Sequence, residues 1–172
     1  MEGGPAQGHD GPYAAPLPLP GGEVEPGWID YNGHMNVAWY MLAFDRAIDV
    51  MLERELGLGE THVHASGQGP FALQSSIHYL AELRLAARFR FEALLLDADA
   101  KRMHLVVTMV RASDGSPAAT LETLLMNVDH ATRRAVPYPD WAQPRLARML
   151  ADHATAPRPP QAGRPLGIRR QG

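Results

Sequence analysis

The chain has no cysteine. Disulfides, thiolate catalysis and cysteine metal sites are therefore excluded, and an extracellular disulfide scaffold with them. Long apolar runs are missing too. No segment approaches the roughly 20 apolar residues needed to cross a bilayer, and the N-terminus has neither the basic start nor the apolar stretch of a signal peptide. These absences lead to the expectation of a soluble cytoplasmic protein without membrane contact. Charge of one sign is not in excess. The formal net charge is -3, which argues against a general nucleic-acid binder. Ser75 and Ser76 lack a G-x-S-x-G elbow, so serine-hydrolase chemistry is not expected. There is also no Gly-rich phosphate loop of the nucleotide-binding kind.

What remains is enough for one domain. The chain has 172 residues, 45% of them hydrophobic, which supports a single core and not two. The Gly- and Pro-rich stretch over residues 1–22 reads as a flexible arm. Residues 154–172 read as a disordered tail, basic through Arg158, Arg164, Arg169 and Arg170. The folded part is expected over residues 23–153.

Within it, a short strand is expected over Glu23 to Trp28. Val37, Tyr40, Met41, Phe44, Ile48, Met51 and Leu52 then recur at steps of three and four, which predicts one apolar face of a helix. Asn36 is a suitable N-cap and Gly57 a natural stop. A loop to Gly69 follows. The period then changes to two over Phe71 to Leu80, and strands are expected there and over Arg88–Leu96, Lys101–Arg111 and Ala118–Asp129. Ser113-Asp114-Gly115-Ser116-Pro117 is a turn. Asp140 can cap a last helix reaching Asp152. Consecutive strands with short turns argue for an antiparallel sheet, and one long apolar helix on it gives an α+β fold.

The stretch Trp28 to Asn36 carries the chemistry. Asp30, Asn32 and His34 put a carboxylate, a carboxamide and an imidazole at alternate positions. A carboxylate can act as nucleophile or base, an amide can donate to a carbonyl or to water, and an imidazole moves protons near neutral pH. The helix that starts at Asn36 or Val37 points its free amides back at this loop, where they favour negative charge. Each such donor to an oxyanion contributes roughly 3 kcal/mol. Taken singly, Asp30 and Asn32 are ordinary turn formers and His34 an ordinary loop histidine. Their grouping before an apolar helix, flanked by Trp28, Tyr31, Trp39 and Tyr40, points to an active site.

Asp30-Tyr31-Asn32-Gly33-His34-Met35-Asn36, followed by Tyr40, resembles the D-x-x-G-H-x-N-x-x-x-Y signature of hotdog-fold thioesterases of the 4-hydroxybenzoyl-CoA thioesterase type. The spacing of Asp30, Asn32 and His34 also resembles the D-x-N-x-H run of plant acyl-ACP thioesterases. The resemblance covers about Val24 to Pro139. It implies a hotdog fold, with an antiparallel sheet wrapped around one central helix. It further implies an acyl-CoA substrate, no metal or other cofactor, and homodimers or homotetramers with substrate between subunits. Asp30 would be the catalytic carboxylate and the Val37 amide the donor to the thioester carbonyl. Asn32 and His34 match catalytic residues in the acyl-ACP branch. The segments around Asp30, Phe44-Asp45-Arg46-Ala47 and Leu96 to His104 look like thioesterases of carnitine breakdown, which hydrolyse betainyl-CoA. A trimethylammonium acyl group suits an aromatic box, for which Trp28, Tyr31, Trp39 and Tyr40 are the candidates. A core position for Tyr40 and a subunit interface for Trp39 are the structural alternatives.

Other residues are candidates for roles at the edge of this chemistry. Lys101 and Arg102, with Arg88 and Arg90, suit CoA phosphates, against a solvated strand edge. His62 and His64 lack an evident third metal ligand. Asp45 and Glu82 are spare carboxylates. Two other functions fit the same fold: a hotdog hydratase or dehydratase, and an acyl-CoA-binding module without turnover.

Overall fold

The computed structural model describes residues 8–168 of the chain; Arg169 and Arg170 lie outside the described residues. The long helix forms where the apolar period predicts it. Helix α1 spans Val37–Met51 and runs on through a π turn over Leu52–Leu56. Asn36 caps it, its side chain accepting from the Ala38 amide at 3.0 Å. Gly57 ends it in the left-handed region at φ 73°, where glycine carries no side-chain penalty. Tyr40, Phe44, Ala47, Ile48 and Met51 are buried. Val37 and Met41, expected on the same face, are 58% and 41% exposed. The apolar stripe is therefore wider than one sheet covers.

The sheet that packs on α1 is antiparallel. Strand β1 is Leu17–Glu23, β2 is Gln68–Tyr79, β3 is Arg88–Ala98, β4 is Arg102–Arg111, β5 is Pro117–Asp129 and β6 is the short Arg134–Ala135. Their order is β1-β3-β4-β5-β2, with β6 paired to β5. Among the core-facing residues, Phe44 packs against Phe91 with ring centroids 5.3 Å apart. Leu105, Val107, Met109 and Leu121 complete the centre. A short helix α2, Glu60–Ser66, occupies what the sequence suggests is a loop. The last helix, α3, is Gln143–His153, and its N-cap is Ala142 rather than Asp140. No helix among the described residues is long and apolar enough to cross a membrane.

The ends differ from the expectation. Residues 17–23 belong to the sheet instead of an arm. Leu17 and Leu19 are buried while Pro18 and Pro20 face out. Proline lacks an N–H but is tolerated on an edge strand, which is where β1 lies. Gly21 is required at its bulge, because a Cβ there would sit 1.7 Å from the Phe89 carbonyl oxygen. Upstream, the Tyr13 amide donates to Asp152 at 2.8 Å. Buried His153 staples this segment to β3. Its Nδ1 accepts from the Leu95 amide and its Nε2 faces the Ala14 carbonyl, both at 2.9 Å. Burial holds its pKa below the ordinary value, in keeping with the neutral ring that one accepting and one donating nitrogen require.

The tail is placed as well. Ala156 and Ala162 pack on Leu94, Leu96 and Val106, an apolar cluster separate from the main core. The Arg158 guanidinium donates to the Leu96 carbonyl at 3.4 Å, and the Gly163 amide to the Glu122 carboxylate at 2.7 Å. A Pro- and Arg-rich composition reads as disorder because it offers little apolar surface. Here two alanines and two backbone contacts suffice, because the sheet supplies the apolar partner.

Candidate active site

Residues 29–35 form a small hairpin at the start of α1. Ile29 and Met35 pair across it. The Asp30 amide donates to the His34 carbonyl at 3.1 Å and the Gly33 amide to the Asp30 carbonyl at 3.0 Å. Gly33 sits at φ 80°, a conformation that glycine adopts without strain. The hairpin is tied to the body of the protein in two places. The Met35 amide donates to the Leu83 carbonyl at 2.8 Å and the Asn36 amide to the Trp28 carbonyl at 2.9 Å.

This hairpin fixes the Asp30 carboxylate. One oxygen accepts from the Asn32 amide at 2.8 Å, and the other from the Asn36 side-chain amide at 3.3 Å. The carbonyl oxygen of the same Asn36 side chain caps α1. Asn36 therefore joins the carboxylate to the helix start with its two ends. Val37, the first residue of α1, has an amide with no acceptor inside the helix. The carboxylate and this free donor thus share one support. The sequence reading gave Asn36 only its capping role. The signal for the second role was its place in the motif, six residues after Asp30.

The other expected site residues are less closely joined. The Asn32 side chain is exposed, and only its backbone reaches Asp30. The His34 ring lies 3.4 Å from the Met35 carbonyl and makes no hydrogen bond to Asp30. It is close enough to Glu82 to help hold that carboxyl below its usual range, after the larger effect of Arg84.

The expected aromatic box is not formed within the chain. Trp28 and Trp39 stack on each other at 5.3 Å and 10°, so each spends a face on its neighbour. Tyr40 lies in the core at 3% exposure, where its hydroxyl accepts from the Leu83 amide at 3.2 Å and donates to the Ala81 carbonyl at 3.4 Å. It positions the 81–83 segment, whose Leu83 carbonyl receives the Met35 amide, and is not available to a ligand. Tyr31 is 97% exposed. Burial drew the two tryptophans together because their apolar area outweighs any use at the surface.

Arg102 begins β4 opposite Met126 of β5, and Lys101 stands in the turn just before it. The Asp30 hairpin hangs from the other end of the sheet, next to the residues that follow Tyr79. Arg102 is held by Asp99, its Nε donating at 2.8 Å. Arg88 pairs with Glu23 at 3.0 Å, and Arg90 with Glu92. His62 lies on α2 with its ring edge-on to Trp141, and burial lowers its pKa.

A cleft of about 710 Å³ runs along the exposed face of α1 toward β2. Val37, Met41, Asp45 and Asp49 follow one another at steps of four, so they share that face. The cleft begins at Met41, one turn beyond the Val37 amide, and its other wall includes Phe71 and His130. Asp45, Asp49, Glu53 and Glu60 line it against Arg54, so it is acidic. Burial, then Asp45 and Glu60, raise the Asp49 pKa.

Residues 24–146 match the thioesterase-like superfamily. A betainyl-CoA thioesterase of Pseudomonas aeruginosa is 31% identical over 145 residues, covering 84% of this chain and 91% of that protein. An L-carnitine dehydrogenase/betainyl-CoA thioesterase of Agrobacterium fabrum is 37% identical over 158 residues. The match covers 90% of this chain but only 31% of that longer protein. Among solved structures, a Staphylococcus aureus protein in complex with CoA superposes with a TM-score of 0.82 at 26% identity, covering 92% of this chain and 100% of that one.

Proposed function

Because the chain belongs to the thioesterase-like superfamily, we propose that it is an acyl-CoA thioesterase that works through Asp30 and the Val37 amide, with betainyl-CoA as its substrate. The observation that carries this reading is the Asp30–Asn36–helix connection. It sets an ionisable carboxylate beside the free amide of a helix start. In the reaction, the thioester carbonyl receives the Val37 N–H. Asp30 activates water, or attacks to give an anhydride that water then opens. The oxyanion forms against the helix dipole, where a donor contributes roughly 3 kcal/mol, and CoA leaves as the thiol. Asn32 and His34 line the approach to the carbonyl. Lys101 and Arg102 are assigned to the CoA phosphates. An acyl-CoA substrate supports a cytoplasmic location.

The site is completed by a second copy. Strand β2 is an edge of the sheet, with no strand paired on its outer side among the described residues. Phe71, Leu73 and Tyr79 on it are 37%, 49% and 50% exposed. The opposite edge, β1, is blunted by Pro18 and Pro20, which have no N–H to offer. Two β2 strands paired antiparallel about a two-fold axis set the Gln68 end of one beside the Tyr79 end of the other. The acidic cleft of the partner then meets the Asp30 end of this chain, and so do the partner's Lys101 and Arg102.

The acyl group follows from that charge. With no aromatic box in the chain, the carboxylates of the cleft, beside Phe71, are the counterpart of a quaternary ammonium. The test compares betainyl-CoA with its neutral isostere, tert-butylacetyl-CoA, by release of free CoA. We expect kcat/KM to favour the cation by at least about tenfold, a difference of about 1.4 kcal/mol, and Asp49→Asn to shrink that ratio. Equal rates on the two esters would contradict recognition of the cation while leaving the thioesterase reading intact.

A further inference from the structure

The turn between β5 and β6 holds two arginines that the site described above does not use. Arg133 and Arg134 are exposed, and among the described residues neither has a carboxylate partner. Their backbone is fixed. The Thr132 amide and hydroxyl both donate to the Asp129 carboxylate, at 2.7 and 2.8 Å, and the Arg133 amide donates to the Asp129 carbonyl at 2.8 Å. Arg134 opposes Asp129 in the short β5–β6 ladder. Arg133 sits at φ 59°, a left-handed conformation that favours glycine over any residue with a Cβ. Its guanidinium lies over the Phe71 ring, 5.6 Å from the centroid. A long cation thus occupies a position whose backbone asks for glycine, which points to a use for the side chain.

This turn meets the Lys101 turn. The Asn127 amide donates to the Lys101 carbonyl at 2.8 Å, and the Asn127 carbonyl accepts from the Val136 amide at 3.1 Å. The two turns therefore lie end to end beside β5. Lys101 also lacks a carboxylate partner among the described residues, whereas Arg102 spends two of its N–H groups on Asp99. Arg102 opposes Met126, and Met126 opposes Phe71, so the three side chains share one face of the sheet. A groove of about 370 Å³ is lined by Met126, Lys101, Arg102, Asp99 and Ala100. Phe71, with Arg133 over it, stands on the far side of Met126.

Unpaired cations on both sides of a half-buried thioether are the counterpart of a phosphorylated nucleoside. Guanidinium forks match phosphate oxygens, and the polarisable sulfur of Met126 suits the face of a base. Resting on the acyl-CoA reading above, we propose that Arg133 and Arg134, with Lys101, bind the phosphorylated adenosine end of CoA, the base lying along Met126. The pantetheine arm then runs from this end of the sheet to the Asp30 hairpin of the other copy, which the β2-paired dimer brings beside it.

Calorimetric titration of the full chain with adenosine 3′,5′-bisphosphate tests the site without turnover. Saturable binding is expected, and Arg133→Gly/Arg134→Gln should weaken it at least about tenfold. The thermal midpoint should not fall, because glycine relieves the left-handed strain; a purely structural role for Arg133 predicts the opposite. A second readout compares the betainyl thioesters of CoA and of pantetheine, which lacks the nucleotide. The variant should raise KM for the CoA ester at constant kcat, so that the preference for CoA over pantetheine falls at least about tenfold. No bisphosphate binding by the wild type, or equal losses on the two esters, overturns the anchor and leaves the thioesterase reading standing. Bisphosphate binding that the variant loses, in a chain that hydrolyses no ester, supports the anchor and overturns the thioesterase reading.

Discussion

Asp30→Asn is expected to lower kcat for acyl-CoA hydrolysis by roughly 10²–10⁴-fold, the range lost when a positioned acid–base group is removed. Asparagine keeps the volume of the side chain and one acceptor for the Asn32 amide. It loses the charge and the oxygen that receives Asn36. A neutral amide neither activates water nor attacks a thioester, so the chemical step fails while the hairpin persists. Because Asp30 acts on the reacting carbon and not on the CoA moiety, kcat and kcat/KM should fall together, with KM little changed. Steady-state release of free CoA measures both. A large rise in KM at constant kcat would instead make Asp30 a binding residue. The thermal transition should move only modestly, since one hydrogen bond to a charged group contributes about 1.5–3 kcal/mol.

The largest effect on stability is expected at Phe44. Its side chain is fully buried, at 0% exposure, between α1 and the sheet, against Phe91. Phe44→Ala removes a ring from a position that the rigid sheet cannot collapse to fill. Such truncations cost about 3–5 kcal/mol, set against total stabilities of about 5–15 kcal/mol. Urea unfolding should show the midpoint falling sharply with little change in slope. The neighbouring Met41 offers the contrast. It is 41% exposed in the single chain, so its truncation should weaken association more than it weakens the monomer. A Phe44→Ala variant with a wild-type midpoint would place α1 outside the core.

Much of this fold was legible because period is a local signal. The steps of three and four over residues 37–52 report one face meeting the core, and the alternation over residues 71–80 reports extended chain, although Phe71, Leu73 and Tyr79 on it stay exposed; both elements formed there. The misses have a common physical origin. Leu17-Pro18-Leu19-Pro20 reads as a broken segment, yet its prolines fall on the outward side of an edge strand, where no ladder donor is needed. The tail reads as disordered because its own side chains bury little; its order comes from Leu94 and Val106, fifty or more residues away in sequence. The tryptophans near Asp30 looked like a ligand cage since nearness in sequence says nothing about which faces meet. Trp28 and Trp39 stack on each other. At the site, Asp30 and the helix start were visible from the motif. The double role of Asn36 was not, because a cap and a carboxylate partner use opposite ends of one amide, and only geometry shows both ends engaged.

The central claim is that this loop and helix start cleave a thioester. The most direct measurement follows free thiol and enoyl-CoA hydration side by side, on a panel of acyl-CoA esters that includes betainyl-CoA. The account predicts saturable release of CoA that Asp30→Asn loses, with no hydration of the enoyl ester. Hydration without thiol release, or saturable binding without turnover on any ester, would contradict it.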